Sequence, residues 1–409
     1  MSGGAAYDLL IVGGGMVGAS LAIALSGQGL SIGLVDAHAP GDPAQPGYDD
    51  RAIALAWGSR RIFEGMGLWP ALAADAEPIC EIHVSDRGRF GFTHLSAHEE
   101  QVPALGYVLT ARRIGEALQE RLRQCPDLDW IAPAQVTAVS ADETAARITL
   151  AEGEAARELN AALLVAADGG RSFVREALGL PTRRWEYGQS AIVANVTPGR
   201  AHCNVAYERF TEEGPIALLP MSEGRCALVW TVHDAQVDEV MALDDAAFLA
   251  RFQARFGHRL GRFRRVGRRA SYPLSLLRVT ESVRRRVAVI GNAAHALHPI
   301  AGQGFNLGLR DVAVLVEQVM QAQARGEDIG GDPVLAGYEA WRRGEQRQVA
   351  LATDGLARLF GNPLPPLRIA RDLGMLAVDL LPFACHRLAR AAMGVAGRLP
   401  RLARGLPPR

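Results

Sequence analysis

Residues 7–36 read YDLLIVGGGMVGASLAIALSGQGLSIGLVD. Tyr7–Val12 is a β-prone, mostly apolar run, as expected of a strand buried on both faces. Glycines follow, then a helical stretch from about Met16 to Gln28. A second apolar run, Ser31–Val35, ends at Asp36. Strand, helix and strand in this order open a doubly wound parallel sheet, so the fold class is α/β. The intervening Gly13-Gly14-Gly15-Met16-Val17-Gly18 has the spacing G-x-G-x-x-G. Gly13 permits the tight turn, Gly15 lets the backbone approach a pyrophosphate, and Gly18 lets the helix pack closely on the strand. The exposed amides and dipole at the helix start then hold the phosphate charge. Asp36, at the end of the second strand, is placed to accept hydrogen bonds from an adenosine ribose. Together these features predict a dinucleotide site.

Two further glycine-centred segments lie far downstream. Leu163–Ser172 reads LLVAADGGRS, a buried strand running into Asp168-Gly169 with Arg171 after it; alone it fits an ordinary β-turn. Arg286–Asp311 reads RVAVIGNAAHALHPIAGQGFNLGLRD. Here a strand ends at Gly291-Asn292, and a Pro/Gly segment leads into a helix from about Asn306. Gly302 and Gly304 expose backbone amides at that helix start, an arrangement that stabilises negative charge.

Between these segments the pattern changes. Residues 130–167 contain short β-prone runs (QVTAVS, ARITL, ALLVAA). Residues 185–235 alternate apolar and polar, which predicts an antiparallel sheet set apart from the first. Helices are expected at about 244–256 and 306–325, and after Tyr338 the chain reads as helical to its end. There is no internal repeat or low-complexity linker.

The 409 residues allow two or three domains. Formal net charge is zero, so no global field recruits nucleic acid. All 44 basic residues are Arg, which excludes Schiff-base chemistry and a phosphate-binding P-loop Lys. Five scattered Cys with no C-x-x-C pair suggest neither a metal site nor a disulfide framework, and fit a reducing compartment. No secretory signal is evident, so a cytoplasmic location is expected. The apolar stretch Leu373–Cys385 is broken by Asp379 and Pro382 and is too short to span a bilayer. Residues 355–409 nevertheless carry nine Arg against Asp372 and Asp379. Such a basic amphipathic tail suits either an anionic membrane surface or a solvated or partner-binding face.

The three glycine segments, in this order, resemble the class A FAD-dependent aromatic monooxygenases, the group that includes p-hydroxybenzoate hydroxylase. The resemblance spans nearly the whole chain. It implies a Rossmann-like FAD-binding domain (1–75, 100–180 and 275–340), an inserted, mainly antiparallel substrate-binding sheet (76–99 and 181–274) and a C-terminal helical region (341–409). It implies tightly bound, non-covalent FAD: Gly13, Gly15, Gly18 and Asp36 at the ADP half, Asp168 and Gly169 near the pyrophosphate, Gly291 and Asn292 at the ribityl chain. Pro299, Gly302, Gly304 and Asn306 would lie beside the isoalloxazine. Asn292 departs from the Gly-Asp of the family, keeping size and an acceptor while removing a charge. Arg51 would sit near the flavin and guide its movement or charge. Arg112 and Arg113 open an amphipathic helix, and Arg113 is a candidate cofactor contact. His295 and His298 invite assignment as general bases, although beside such a loop a structural part is the commoner one.

PGYDDRAIAL (Pro46–Leu55), EIHVSDRGRFGF (Glu81–Phe92) and YERFTEEGPIALLPM (Tyr207–Met221) narrow the resemblance to the ubiquinone-biosynthesis hydroxylases. Within them the GNAAH form and the SDRG segment look most like 2-polyprenyl-6-methoxyphenol hydroxylase. That implies a polyprenylated phenol as substrate, with NAD(P)H docking transiently and O2 as co-substrate, since no second G-x-G-x-x-G is present. Tyr207, Phe210 and Trp230 are candidates for the substrate pocket or for plain core. A same-fold hydroxylase of another quinone precursor or of a soluble phenol, a flavin-dependent prenyl reductase or halogenase, and a non-catalytic flavoprotein subunit are the competing readings.

Overall fold

A computed structural model describes residues 6–42, 51–152, 155–296, 303–361 and 365–409. The strand Ala6–Val12 lies at the centre of the first sheet, parallel to Ile32–Val35 on one side and to Ala155–Ala166 on the other. Leu128–Ile131 and Val287–Val289 extend the parallel part outward. Its pleat divides two cores. Leu9 and Ile11 join the helices Met16–Leu25 and Gln303–Ala324 in one, while Leu10 and Val12 face the antiparallel hairpin Gln135–Ala141 and Ala146–Glu152 in the other. Fully burying each such Leu or Ile contributes about 1.5–3 kcal/mol. Met16–Leu25 is apolar all round because it is covered all round, buried from Gly18 to Leu25.

The alternating stretch at 185–235 folds into a second, nine-stranded sheet, built on Thr182–Thr197, Arg225–His233, Gly214–Met221 and Val205–Thr211 in antiparallel register. Glu81–Asp86 joins its edge parallel to Val205–Thr211, and Phe92–Ser96 closes that edge. The helix Asp245–Phe256 covers the far face through Phe248, Phe252 and Phe256. A small sheet of Ala52–Ala56, Gly106–Thr110 and Glu77–Ile79 lies between the two large ones.

The helical reading after Tyr338 needs correcting at its end. Helices run Asp332–Gly361, Pro365–Leu380 and Pro382–Ala392, and there regular α-helix stops. Gly394 and Gly397 take φ of +68° and +73°, a backbone that ends helices. The last residues then turn back to bury Leu402 and Ala403 in the first core. Among the described residues no helix is long and apolar enough to cross a membrane.

Candidate functional site

The glycines of the first segment divide by what surrounds them. A Cβ on Gly13, at φ +105°, would lie 2.5 Å from the Ala167 carbonyl oxygen, and one on Gly18 only 1.9 Å from that of Gly13. Both therefore serve backbone packing, and the Gly13 contact docks the second segment onto the first. Gly15 is different: a Cβ there meets nothing within 4 Å. Gly15 caps the helix Met16–Leu25 with no side-chain hydrogen bond, and the first turn carries no acid. The result is an open helix start whose first amides lack intrahelical partners, the shape and charge a pyrophosphate requires.

Asp36 is buried beneath this turn. Its Oδ2 accepts the Gly14 amide at 2.5 Å and its Oδ1 the His38 amide at 2.7 Å. It thus holds the glycine loop shut against the second strand, a duty the sequence pattern did not reveal, while a carboxylate keeps further lone pairs for a ribose.

The third segment closes on the same point. Gly291 takes φ +59°, and a Cβ there would press on Val17 at 3.1 Å; one on Gly308 would meet Val17 at 2.9 Å. Val17, in the first turn after the glycine loop, is thus the shared contact of the first and third segments. Arg175, buried and unforeseen, ties the second to the third: it donates to the Gly170 carbonyl at 2.9 Å and to the Ala293 carbonyl at 3.0 Å. Its only sequence signal is its place three residues after the helix-capping Ser172.

Asp168 ends its strand with Oδ2 accepting the Val174 amide at 3.1 Å. Its Oδ1 is buried with no hydrogen-bond partner among the described residues, and burial pushes its carboxyl upward. An unspent buried acceptor beside the cradle is what a ligand hydroxyl needs. Gly169, at φ +80°, and Gly304 both leave open space, and the Asn292 side chain is exposed on the turn Gly291–Ala293. On these observations the residues fit FAD. The helix start would hold the pyrophosphate; Asp36 and Asp168 would accept from sugar hydroxyls.

Beneath the third segment lies a buried ionic cluster centred on Asp311. Its Oδ2 accepts from the Gly291 amide at 3.0 Å and meets His295 Nε2 at 2.6 Å; its Oδ1 accepts from Arg342 Nε at 2.7 Å and Gln346 Nε2 at 2.9 Å. Burial alone would raise the Asp311 carboxyl, but His295 and Arg342 outweigh it and hold the group well below the ordinary range. His295, 1% exposed, joins this cluster through Nε2.

Three other candidates are placed as follows. Asn306 donates to the Ala54 carbonyl and accepts from the Ala56 amide, both at 2.8 Å, stitching the start of the long helix to the strand Ala52–Ala56. Arg51, next to that strand, lays its guanidinium over Tyr272 at 4.9 Å and so bridges to the second sheet. The Arg113 guanidinium donates to Asp75 at 2.5 Å and to the Ala71 carbonyl at 2.7 Å. His298, Pro299 and Gly302 lie outside the described residues.

The second sheet presents one face to the small sheet and Arg51. Tyr272 is in register with Ala191, and Ala191 with Thr231, next to Trp230. Trp230 therefore points to the opposite, helix-covered face, where it packs on Phe248 at 5.7 Å. Tyr207 shares that far face and meets Phe256 at 5.8 Å. Phe210 is on the near face under Met375. The near face carries the row Ala270–Val193–Val229–Ala217–Glu208–Val84, all only half-buried. Small apolar side chains with one carboxylate among them leave space over the middle of the sheet.

Residues 6–352 match the family described as FAD binding domain. The chain belongs to that family. Two relatives align over almost the full length. One is the ubiquinone hydroxylase UbiL of Rhodospirillum rubrum, 42% identical over 98% of this chain and 93% of its own. Another is the 3-demethoxyubiquinol 3-hydroxylase of Escherichia coli, 30% identical over 95% and 98%. Among solved structures, p-nitrophenol 4-monooxygenase PnpA from Pseudomonas putida superposes with a TM-score of 0.78 at 18% identity, over 96% of this chain and 99% of its own, which shows the same fold. This member of the FAD-binding family is a flavin-dependent hydroxylase, working with FAD, NAD(P)H and O2.

Proposed function

We propose that this hydroxylase acts in ubiquinone biosynthesis, adding oxygen to a polyprenylated methoxyphenol, 2-polyprenyl-6-methoxyphenol, to give the benzoquinol. The observation that carries the reading is the convergence of the three glycine segments beside a second sheet whose near face is apolar and half open. The first and third meet at Val17, and the second is docked on Gly13 and tied to the third by Arg175. Bound FAD, reduced by NAD(P)H, supplies the activation of O2. The chain's own residues bind, orient and exclude water. Segments 1–75, 100–180 and 275–340 hold the cofactor, while 76–99 and 181–274 present the row from Ala270 to Val84 to the phenol ring. Arg51, braced on Tyr272, would lie toward the reacting ring. A second reading, hydroxylation at another ring position, is favoured by the name of the Escherichia coli relative.

Mass spectrometry of quinone intermediates in a deletion strain separates the two. Accumulation of the 6-methoxyphenol supports the first reading; accumulation of a later, demethoxy intermediate supports the second. An unchanged quinone pool would remove both.

A polyprenyl substrate partitions into lipid, and we propose peripheral contact with an anionic membrane. In the helix Pro365–Leu380, Arg371, Met375 and Asp379 face the second sheet: Arg371 pairs with Asp86 at 2.7 Å, the Met375 carbonyl accepts from Thr93, and Asp379 accepts the His94 amide. The opposite side and the next helix expose Leu373, Leu380, Leu381 and Phe383, the last by 78%, with Arg387 and Arg390 alongside. Because the chain beyond Val395 contributes to the core, truncation is a poor test. Leu380→Ser with Phe383→Ser should abolish co-sedimentation with phosphatidylglycerol vesicles at unchanged thermal stability; retained binding would end the idea.

A further inference from the structure

A groove of about 930 Å³ runs between the helix Asp332–Gly361 and the paired strands Thr182–Thr197 and Ala270–Val279. Its volume lies within the range of small-molecule sites. Its charge is one-sided. Arg183 and Arg278 stand directly opposite each other in the antiparallel ladder. Arg343 and Arg347 stand one turn apart on the exposed side of the helix, and all four line the groove. Like charges opposite each other on a ladder, or at i,i+4 on a helix, each work against the fold.

Nearby acids do not offset this. Glu186 lies 3.4 Å from Arg184, and Glu339 is engaged through Oε1 by the Ser282 amide. Two repelling pairs on facing walls become favourable once an anion of two or more charges lies between them. Guanidinium groups suit phosphate oxygens in particular, because the planar fork donates two parallel hydrogen bonds. At the rim stands Trp185, 53% exposed.

The groove also reaches the flavin loop. Gln346, on its wall, donates to the same Asp311 that accepts the Gly291 amide. Arg278 pairs across the ladder with His295. The single G-x-G-x-x-G is taken by the FAD cradle, so the second nucleotide of the reaction needs another phosphate site.

We infer that this groove docks the phosphate-bearing part of the reduced nicotinamide dinucleotide, with its pyrophosphate between Arg183–Arg278 and Arg343–Arg347. The assignment rests on the flavin-hydroxylase reading, though not on which phenol is hydroxylated. The test is anaerobic reduction of the FAD-loaded enzyme by NADPH and by NADH, with no phenol present, for the native chain and for Arg343→Gln with Arg347→Gln. The apparent Kd for the nucleotide should rise about tenfold or more, the loss of one charge-assisted contact or better. Inorganic pyrophosphate should compete with NADPH in the native enzyme and lose that effect in the variant. The thermal midpoint of the nucleotide-free variant should not fall, since repulsion is relieved, which separates lost docking from lost folding. An unchanged Kd, or pyrophosphate that does not compete, overturns the inference. So does a variant that reduces normally but no longer binds phosphatidylglycerol vesicles, which would assign the groove to lipid headgroups. A chain that hydroxylates no phenol yet passes the reduction test would sink the substrate reading alone.

Discussion

Gly15 and Gly18 stand three residues apart and answer different needs. Gly15 has φ −64° and open space, so Gly15→Ala should fold normally yet lose at least about tenfold in FAD affinity, because the methyl occupies the pyrophosphate approach. Gly18→Ala has no room at all and should yield little folded protein. Isothermal titration with FAD and circular dichroism read the pair. Asp311 is the other residue with a decisive environment. Asp311→Asn leaves Arg342 and His295 without their charge partner, and the cost should be about 3–5 kcal/mol in urea unfolding. With its carboxyl depressed in the folded chain, the native cluster gives its full stability above the unfolded value of about 4 and loses it as pH falls through the folded value. The variant should lack that acid loss.

At the level of elements, the strand Ala52–Ala56 depends on one amide side chain. Asn306 satisfies both an amide and a carbonyl of that strand, and Asn306→Ala leaves the two groups unmatched. A loss of about 1–3 kcal/mol is expected, with a lower kcat because Arg51 precedes the strand and braces on Tyr272. Asn306→Asp should restore the acceptor only, giving an intermediate effect; equal kcat in all three would separate the strand from turnover. The helices at about 16–28, 244–256 and 306–325 were legible in the sequence, and the strands within 185–235 from alternation. The stop at Ala392 was missed because Gly394 and Gly397 lie among good helix formers, and only the docking of Leu402 and Ala403 into the first core reveals why the chain leaves the helix.

Across the whole molecule, the second sheet carries a titration of its own. His83, half-buried opposite Tyr207 in the register, is pushed down to about 4, first by burial and then by the Arg259 charge. Between its ordinary value of 6.5 and about 4 the unfolded chain takes up a proton that the folded chain refuses, so stability should fall as pH drops through that window. Thermal midpoints of His83→Gln across the same window should show a shallower slope; an identical slope would place the acid sensitivity elsewhere. At this scale a net charge of zero conceals an uneven distribution, with arginines gathered in the groove beside Trp185 and acids spent elsewhere as partners.

The amino-acid order alone determined the nucleotide-binding unit and the existence of a second sheet. Both rest on local rules: glycine at positions where a Cβ has no room or must be absent, and a two-residue period along each strand. Contacts between distant segments were beyond it. Val17 under Gly291, Arg175 between two loops, Asp311 beneath the third segment and the facing pairs of the arginine groove join residues up to hundreds of positions apart. Such meetings depend on how sheets and helices pack, and that packing is a property of the folded chain as a whole.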